Sequence, residues 1–211
     1  MATTLPSATA TVPKKYSLGL RLWHWGNSFL ITAQLVTILF ISVIVNTKSL
    51  RPEFQQALQK SGVTLDEQQA RSLAHIVSER IWDWHVYFGL ALSALLAYRI
   101  ILVFVQPAAQ RFGARLQEAK QEGGNALFAK YTYIAFYLML VVQVATGLAL
   151  VYGDNLGLAR DAEHTIKEIH EFNMYLIIAY TVLHIVGVVR AEIIERYGPI
   201  SSMIHGRRPG E

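Results

Sequence analysis

The 211-residue sequence contains no cysteine, and this absence excludes several kinds of chemistry. Without thiols the chain can form no disulfide bond, supply no cysteine ligand to an iron–sulfur cluster, and attach no haem covalently through a C-x-x-C-H motif. Charged residues are also scarce, at 16%, whereas hydrophobic residues make up 53%. That composition is apolar for a soluble protein of this size.

Charged residues are absent from long stretches of the chain instead of being sparse throughout it. Four apolar runs cover residues 22–47, 84–105, 131–153 and 172–189, and Arg99 is the only formally charged residue in them. Each run is about the ~20 residues that a helix needs to cross ~30 Å of hydrocarbon. We therefore predict an all-α membrane protein, a bundle of four transmembrane helices. The predicted spans are about 22–46, 84–105, 130–152 and 169–195.

The membrane domain is predicted to extend over residues 21–197, between two tails. Residues 1–20 are polar, lack the apolar core of a secretory signal, and are expected to form a mobile tail. Residues 198–211 are expected to form a basic C-terminal tail after a helix stop at Gly198 and Pro199.

The outer loop 47–80 is predicted to be partly helical. Pro52 fits the first turn of a short helix, and Gly62 fits the position just past its end. Thr64 and Glu67 match a capping box, which predicts a second, amphipathic helix that leads into the second span.

Basic residues are divided unequally between the two faces. With four spans, both termini share one face with the loop after the second span. That face carries 12 of the 19 basic residues and 5 of the 15 acidic ones. The positive-inside rule predicts that it is cytoplasmic, with both termini inside. The net charge of +4 then follows from topology and requires no nucleic acid partner.

Four of the seven histidines are predicted to form two pairs. His170 and His184 are fourteen residues apart, which corresponds to about 21 Å of rise and nearly whole turns, so both rings point to one side of the fourth helix. The topology places His85 level with His170 near the outer face, and His24 level with His184 near the inner face. Two imidazoles that face each other are the axial ligands of a six-coordinate b-type haem.

Small and basic residues near these histidines fit the same interpretation. Gly26, Gly89 and Gly187 would let a porphyrin lie against the helix backbone. Several cations could pair with haem propionates: Arg21, Arg99 and Arg190 at the inner end, and Arg80 and Lys167 outside. Arg99 and Arg190 have a simpler interpretation as anchors at the membrane surface. Gly147 is interpreted as a packing residue. His75, His164 and His205 lie in predicted loops or tails and are expected to be exposed.

The motifs RLWHW at 21–25, WDWHVYFG at 82–89 and IHEFNMYLIIAYTVLHIVGV at 169–188 resemble the bacterial cytochrome b561 family, as does SSMIHGRR at 201–208. That family includes the b-type cytochrome subunit of nickel–iron hydrogenases. The resemblance covers about residues 16–208. It implies two haems b, with His24 and His184 binding the inner iron and His85 and His170 the outer iron.

The resemblance further implies transfer of electrons between a protein donor at the outer face and quinone, in the bacterial inner membrane. The chain would then be an electron-transfer subunit with no acid–base catalytic residue, in contact with lipid, quinone and a redox protein.

One alternative is a self-sufficient superoxide:quinone oxidoreductase, but the outer loop is longer than in the shortest such relatives and the outer face is acidic. A histidine-based metal or proton transporter is another alternative, although no Asp or Glu lies in the four apolar runs. A purely structural subunit would not need paired histidines.

Overall fold

The computed structural model describes residues 17–105, 124–195 and 199–206, and every regular element among them is helical. The α-helices are α1 Leu18–Leu39, α2 Thr47–Gln59, α3 Glu67–Val105, α4 Gly124–Val151, α5 Gly153–Leu156, α6 Arg160–Glu195 and α7 Pro199–His205, and a π-helical segment, Phe40–Ile44, follows α1. The prediction of an all-α protein is confirmed. Residues 1–16 of the predicted tail 1–20 and most of the inner loop, 106–123, lie outside the described residues, whereas residues 18–20 of that tail belong to α1.

Four helical stretches are long and apolar enough to cross a membrane. They are Leu18–Ile44, Glu67–Val105, Lys130–Val151 and Arg160–Ile194, with mean hydropathies between 1.9 and 2.3. Large apolar side chains such as Phe104 and Ile193, each 76% exposed, lie on their outer surfaces. An apolar exterior of this extent suits lipid rather than water. The prediction of four membrane-spanning helices is confirmed by length and composition.

The helix that contains the second predicted span begins much earlier than the sequence predicts. Helix α3 is continuous for 39 residues, so the predicted amphipathic helix and the span from residue 84 are one element. At ~1.5 Å per residue it is about 58 Å long, well beyond the ~30 Å of a hydrocarbon core. The outer segment can continue straight into the span because no proline interrupts it. The predicted loop 47–80 is therefore mostly α2 and the first part of α3.

The capping box at the start of α3 uses different residues from those predicted. The Gln69 backbone N–H donates to Asp66 Oδ1 at 2.7 Å, and the Asp66 N–H donates to Gln69 Oε1 at 3.0 Å. The prediction of Thr64 and Glu67 is wrong, because Asp66 and Gln69 have the same three-residue spacing and stand next to the helix start.

The short outer helix α2 also starts earlier than predicted. Asn46 caps it by accepting a hydrogen bond from the Lys48 N–H at 2.9 Å, so Pro52 lies inside the helix instead of in its first turn. Gly62 lies past its end with φ of 79°, as the sequence predicts. Helix α2 packs against α3, and Arg51 forms an ion pair of 3.6 Å with Glu67.

The fourth span starts at Arg160 instead of about residue 169. Its first turns are polar, and acidic residues in the first turn favour the positive end of the helix dipole. Side-chain pairs four residues apart support this extension, for example Lys167 and Glu171 at 3.8 Å.

The described residues divide into two compact units. One unit comprises the residues up to His24 and those from Thr181 onward, and the other comprises Trp25–Tyr180. In the larger unit, α3 packs against α4 and against the π-helical segment. Leu140 is completely buried there.

The smaller unit contains a C-terminal helix that the sequence analysis missed. Pro199 was predicted to lie in a basic tail, but it opens α7. The Glu192 carboxylate accepts hydrogen bonds from the Ile200 N–H at 2.8 Å and from Ser201 at the start of α7. At the other end, Arg21 Nε donates to the Met203 carbonyl at 2.9 Å. A carboxylate at the N-terminus and a cation at the C-terminus both suit the helix dipole.

Candidate functional site

His24 and His184 lie side by side in the smaller unit. Their ring centres are 6.4 Å apart, and the ring planes make an angle of 54°. His24 is half-buried, whereas His184 is exposed on α6. The structure thus brings together the two histidines that the sequence predicts at the inner level.

The separation of these two rings fits a metal between them. A metal lies roughly 2 Å from each bonding imidazole nitrogen, and the ring centre lies about 1 Å further out, so two opposed ligands have ring centres roughly 6 Å apart. The observed 6.4 Å agrees with that value. Neutral imidazole is the usual axial ligand of b-type haem, so the donor set also fits.

His85 and His170 come together in the larger unit. Each imidazole is half-buried, and the two side chains lie near each other. Trp82 packs against His85 edge to face, with ring centres 5.5 Å apart. Among the described residues, no three or more His, Asp or Glu side chains gather as potential metal ligands.

A threonine contacts the Nδ1 atom of His85. Thr37 Oγ1 lies 2.9 Å from that nitrogen and also donates to the Gln34 carbonyl at 2.7 Å. A hydroxyl has one hydrogen, and the carbonyl can only accept. With that hydrogen on the carbonyl, the Thr37 oxygen accepts from His85 Nδ1–H. The Nε2 atom of His85 then has the free lone pair that a metal needs.

The surroundings of His170 repeat this arrangement. Thr146 Oγ1 donates to the Val142 carbonyl at 2.7 Å and lies 2.9 Å from His170 Nδ1. With the hydroxyl hydrogen on the Val142 carbonyl, the Thr146 oxygen accepts from His170 Nδ1–H, and Nε2 has a lone pair. Gln143 Nε2 donates to that lone pair at 3.0 Å. Asn173 in turn donates to Gln143 Oε1 at 2.6 Å, which orients the Gln143 amide.

The predicted inner arginines have different environments. Arg99 is 7% exposed, and its Nε and Nη2 donate to the hydroxyls of Tyr137 at 2.8 Å and Tyr133 at 2.7 Å. Arg21 binds the carbonyl end of α7, and Arg190 is exposed. Their role as propionate partners stays a prediction, as do the outer roles of the exposed Arg80 and Lys167.

The glycines near the histidines also differ from one another. A Cβ at Gly89 would lie 3.0 Å from Gln34 Nε2, so this glycine makes room for a side chain of α1. A Cβ at Gly26 would touch Leu95 at 3.4 Å, and one at Gly187 would meet no atom within 4 Å. Contact of these glycines with a porphyrin stays a prediction.

Gly147 lies directly beside a candidate ligand, although the sequence analysis assigned it to packing alone. A Cβ there would lie 3.2 Å from Cε1 of His170, so the glycine lets the imidazole approach the backbone of α4. The remaining histidines are exposed as predicted: His75, His164 and His205. His75 and His164 each lie near a glutamate one turn away.

The polar residues that contact the predicted outer pair, His85 and His170, were not identified from the sequence. Gln34 and Thr37 in α1 have the same spacing as Gln143 and Thr146 in α4. A repeated Gln-x-x-Thr in two apolar runs is a usable signal, because polar side chains in a membrane helix usually contact other polar groups.

Four helices fit to cross a membrane and two imidazole pairs are features of membrane-bound electron-transfer proteins. Residues 15–206 match the prokaryotic cytochrome b561 family, and the chain belongs to that family. Proteins of this kind are b-type cytochromes, whose cofactor is haem b, and they carry electrons in membranes. The family resemblance inferred from the motifs is thereby confirmed.

Two curated relatives cover nearly all of the chain. A protein of Rhizobium leguminosarum bv. viciae is 25% identical over 92% of this chain and 87% of its own length, and it is named a probable Ni/Fe-hydrogenase B-type cytochrome subunit. A protein of Rhodobacter capsulatus with the same name is 22% identical over 92% of this chain and 80% of its own length. No solved structure matches the chain.

Proposed function

We propose that the chain is a di-haem b-type cytochrome that passes electrons from a protein donor at the outer membrane face to quinone. His24 and His184 hold the inner haem, and His85 and His170 hold the outer haem. The observation that carries the proposal is the 6.4 Å separation of the His24 and His184 rings, which suits two ligands on one iron. The threonine oxygens that lie 2.9 Å from Nδ1 of His85 and of His170 support the second pair.

The two histidine pairs would each hold one haem, which would supply reversible one-electron transfer when bound. The protein supplies placement and environment. Helix α6 carries one candidate ligand for each level, and the spacing of fourteen residues predicts that the two haems lie at different depths. Arg21, Arg99 and Arg190 are the candidates to neutralise the propionates of the inner haem.

The charge distribution supports the orientation. We place both termini and the basic face in the cytoplasm, in a bacterial inner membrane, so α2 and the start of α3 project outward. Both relatives are named as hydrogenase subunits, and we extend that partner to this chain as the outer donor. Quinone, being soluble in lipid, is the acceptor that we place near the inner haem.

The test is a haem count on the purified protein with a matched set of variants. Two haems b per chain are expected from the pyridine haemochrome spectrum. His85→Ala and His170→Ala should lose one and the same haem, and His24→Ala and His184→Ala the other. His75→Ala is the control, because this exposed histidine has no assigned ligand role, and it should keep both haems. A ratio of one haem in the wild type would contradict the di-haem proposal.

Electron flow is tested separately in membranes. Hydrogen-dependent reduction of a quinone analogue should require the chain and the hydrogenase together. It should be lost in His24→Ala. Quinone reduction that survives without the inner haem would place the quinone at the outer level and overturn that part of the proposal.

A further inference from the structure

We propose that Thr37 and Thr146 are positioning residues for the outer haem. Each fixes one imidazole, His85 or His170, as the Nδ1–H tautomer with Nε2 directed to the iron. This inference rests on the proposed function, because it assumes that these two histidines are ligands.

The first observation is that the same device occurs twice on two different helices. Thr37 ends a Gln-x-x-Thr segment in α1, and Thr146 ends another in α4. In both, the threonine oxygen lies 2.9 Å from Nδ1 of the facing histidine. Two identical distances on two separate helix pairs indicate a shared role for the threonine.

The second observation concerns the single hydrogen of each threonine hydroxyl. Each threonine donates at 2.7 Å to a carbonyl of its own helix, at Gln34 for Thr37 and at Val142 for Thr146. A hydroxyl that gives its one hydrogen to that carbonyl can only accept from the histidine. A backbone-bonded threonine thus selects the tautomer and fixes the rotation of the ring.

The two glutamines do not share the threonines' role. Gln34 Nε2 donates to the His85 backbone carbonyl at 2.9 Å and leaves the ring alone. Gln143 Nε2 donates to Nε2 of His170, the atom that would bind iron. That hydrogen bond and an iron bond exclude each other, since the nitrogen has one lone pair. In the haem-loaded protein, Thr146 is therefore the partner that can keep its bond to the His170 ring.

The consequence for the haem follows from the donor strength of imidazole. A hydrogen bond from Nδ1–H makes Nε2 a better electron donor, which favours ferric over ferrous iron. Loss of such a partner typically weakens metal binding by about 10- to 100-fold. Removal of either hydroxyl should therefore raise the midpoint potential of the outer haem, by about 59 mV for each tenfold loss of preference for the ferric state.

The experiment compares Thr37→Val and Thr146→Val with Thr32→Val in the full chain. Thr32 is the matched control, because its hydroxyl also donates to a carbonyl of α1, that of Ser28 at 2.8 Å, but it is exposed. Optical redox titration and EPR of the ferric protein are the measurements. The outer haem is identified as the one that His85→Ala removes.

Both valine variants should raise the outer potential and shift its EPR signal, while Thr32→Val changes neither. Thr37→Ser and Thr146→Ser, which keep the hydroxyl, should keep wild-type values, and Thr37→Ala or Thr146→Ala, which also lacks the hydroxyl, replaces a valine variant that fails to accumulate. Unchanged outer potentials in the valine variants would overturn the inference, as would a shift in the serine variants. If the wild type lacks a second haem, or if His85→Ala removes none, the proposed function fails instead.

Discussion

The buried arginine of α3 and its two tyrosine partners on α4 give a prediction about stability. The Arg99 guanidinium donates to both phenols, and the Tyr133 hydroxyl donates to that of Tyr137 at 3.1 Å. Substitution of both tyrosines by phenylalanine keeps the rings but removes these acceptors. The charge of Arg99 then stays in an apolar environment with fewer hydrogen bonds.

The magnitude follows from hydrogen bonds to a charged group. Such bonds contribute about 1.5–3 kcal/mol each in soluble proteins. Hydrogen bonds between membrane helices average about 0.6 kcal/mol and reach ~1.7 kcal/mol, because the unfolded chain in the membrane also finds partners. Since Arg99 is charged and buried, we take the upper membrane value for each of its two bonds. The free energy of unfolding of the double variant should fall by about 3 kcal/mol. If the two phenols act as a unit, this loss is smaller than the sum of the losses in the two single variants.

The assay is unfolding in mixed detergent micelles with increasing SDS, followed by far-UV circular dichroism. Arg99→Met in the background of both phenylalanines is the decisive control, because it removes the buried charge along with its partners. Replacement of a whole buried polar group by apolar residues is often neutral or stabilising, so the triple variant should recover most of the loss. A double variant as stable as the wild type, or a triple variant less stable than the double, would refute the reasoning.

Three further predictions follow from single contacts. Asp66→Ala should cost about 1 kcal/mol of stability through loss of the helix cap, whereas Thr64→Ala should change it little; equal effects in the same SDS titration would show that the cap is misassigned. Gly147→Ala should alter the optical and EPR spectra of the haem that His170 binds and leave the other unchanged, because the new methyl group meets the imidazole ring; a wild-type spectrum would mean that the ring can move aside. Glu192→Gln should speed hydrogen exchange of the amides that open α7, since the carboxylate that accepts them loses its charge; unchanged exchange would mean that α7 is held by other contacts.

The helix boundaries show where reasoning from the sequence was limited. The apolar part of the second span was predicted, but the structure extends that helix back to Glu67. The change from apolar to polar residues shows where the hydrocarbon core ends, but a helix can continue beyond that point. Two overlapping capping patterns, starting at Thr64 and at Asp66, were equally compatible with the rule. The choice between them depends on backbone position, which the pattern alone does not contain.

Only part of the candidate site, like only part of the helix boundaries, was predictable from the sequence. The histidines stood out because ionisable rings are rare in apolar runs, and helical periodicity placed His170 and His184 on one side of a helix. The threonines did not stand out, because a threonine in a membrane helix commonly bonds to its own backbone. Only the position of α1 beside α3, and of α4 beside α6, shows that Thr37 and Thr146 each face an imidazole.

By itself, the sequence determined that the chain is helical and built for a membrane. A long apolar run in lipid must satisfy its own backbone hydrogen bonds, and a single helix does so without help from the rest of the chain. The tertiary structure alone decided which polar side chains meet. Arg99 meets two phenols and each outer histidine meets a threonine because neighbouring helices present those groups at the same height and rotation. Hydrogen bonds form only within about 3 Å, and residues far apart in the chain reach that distance only through helix packing.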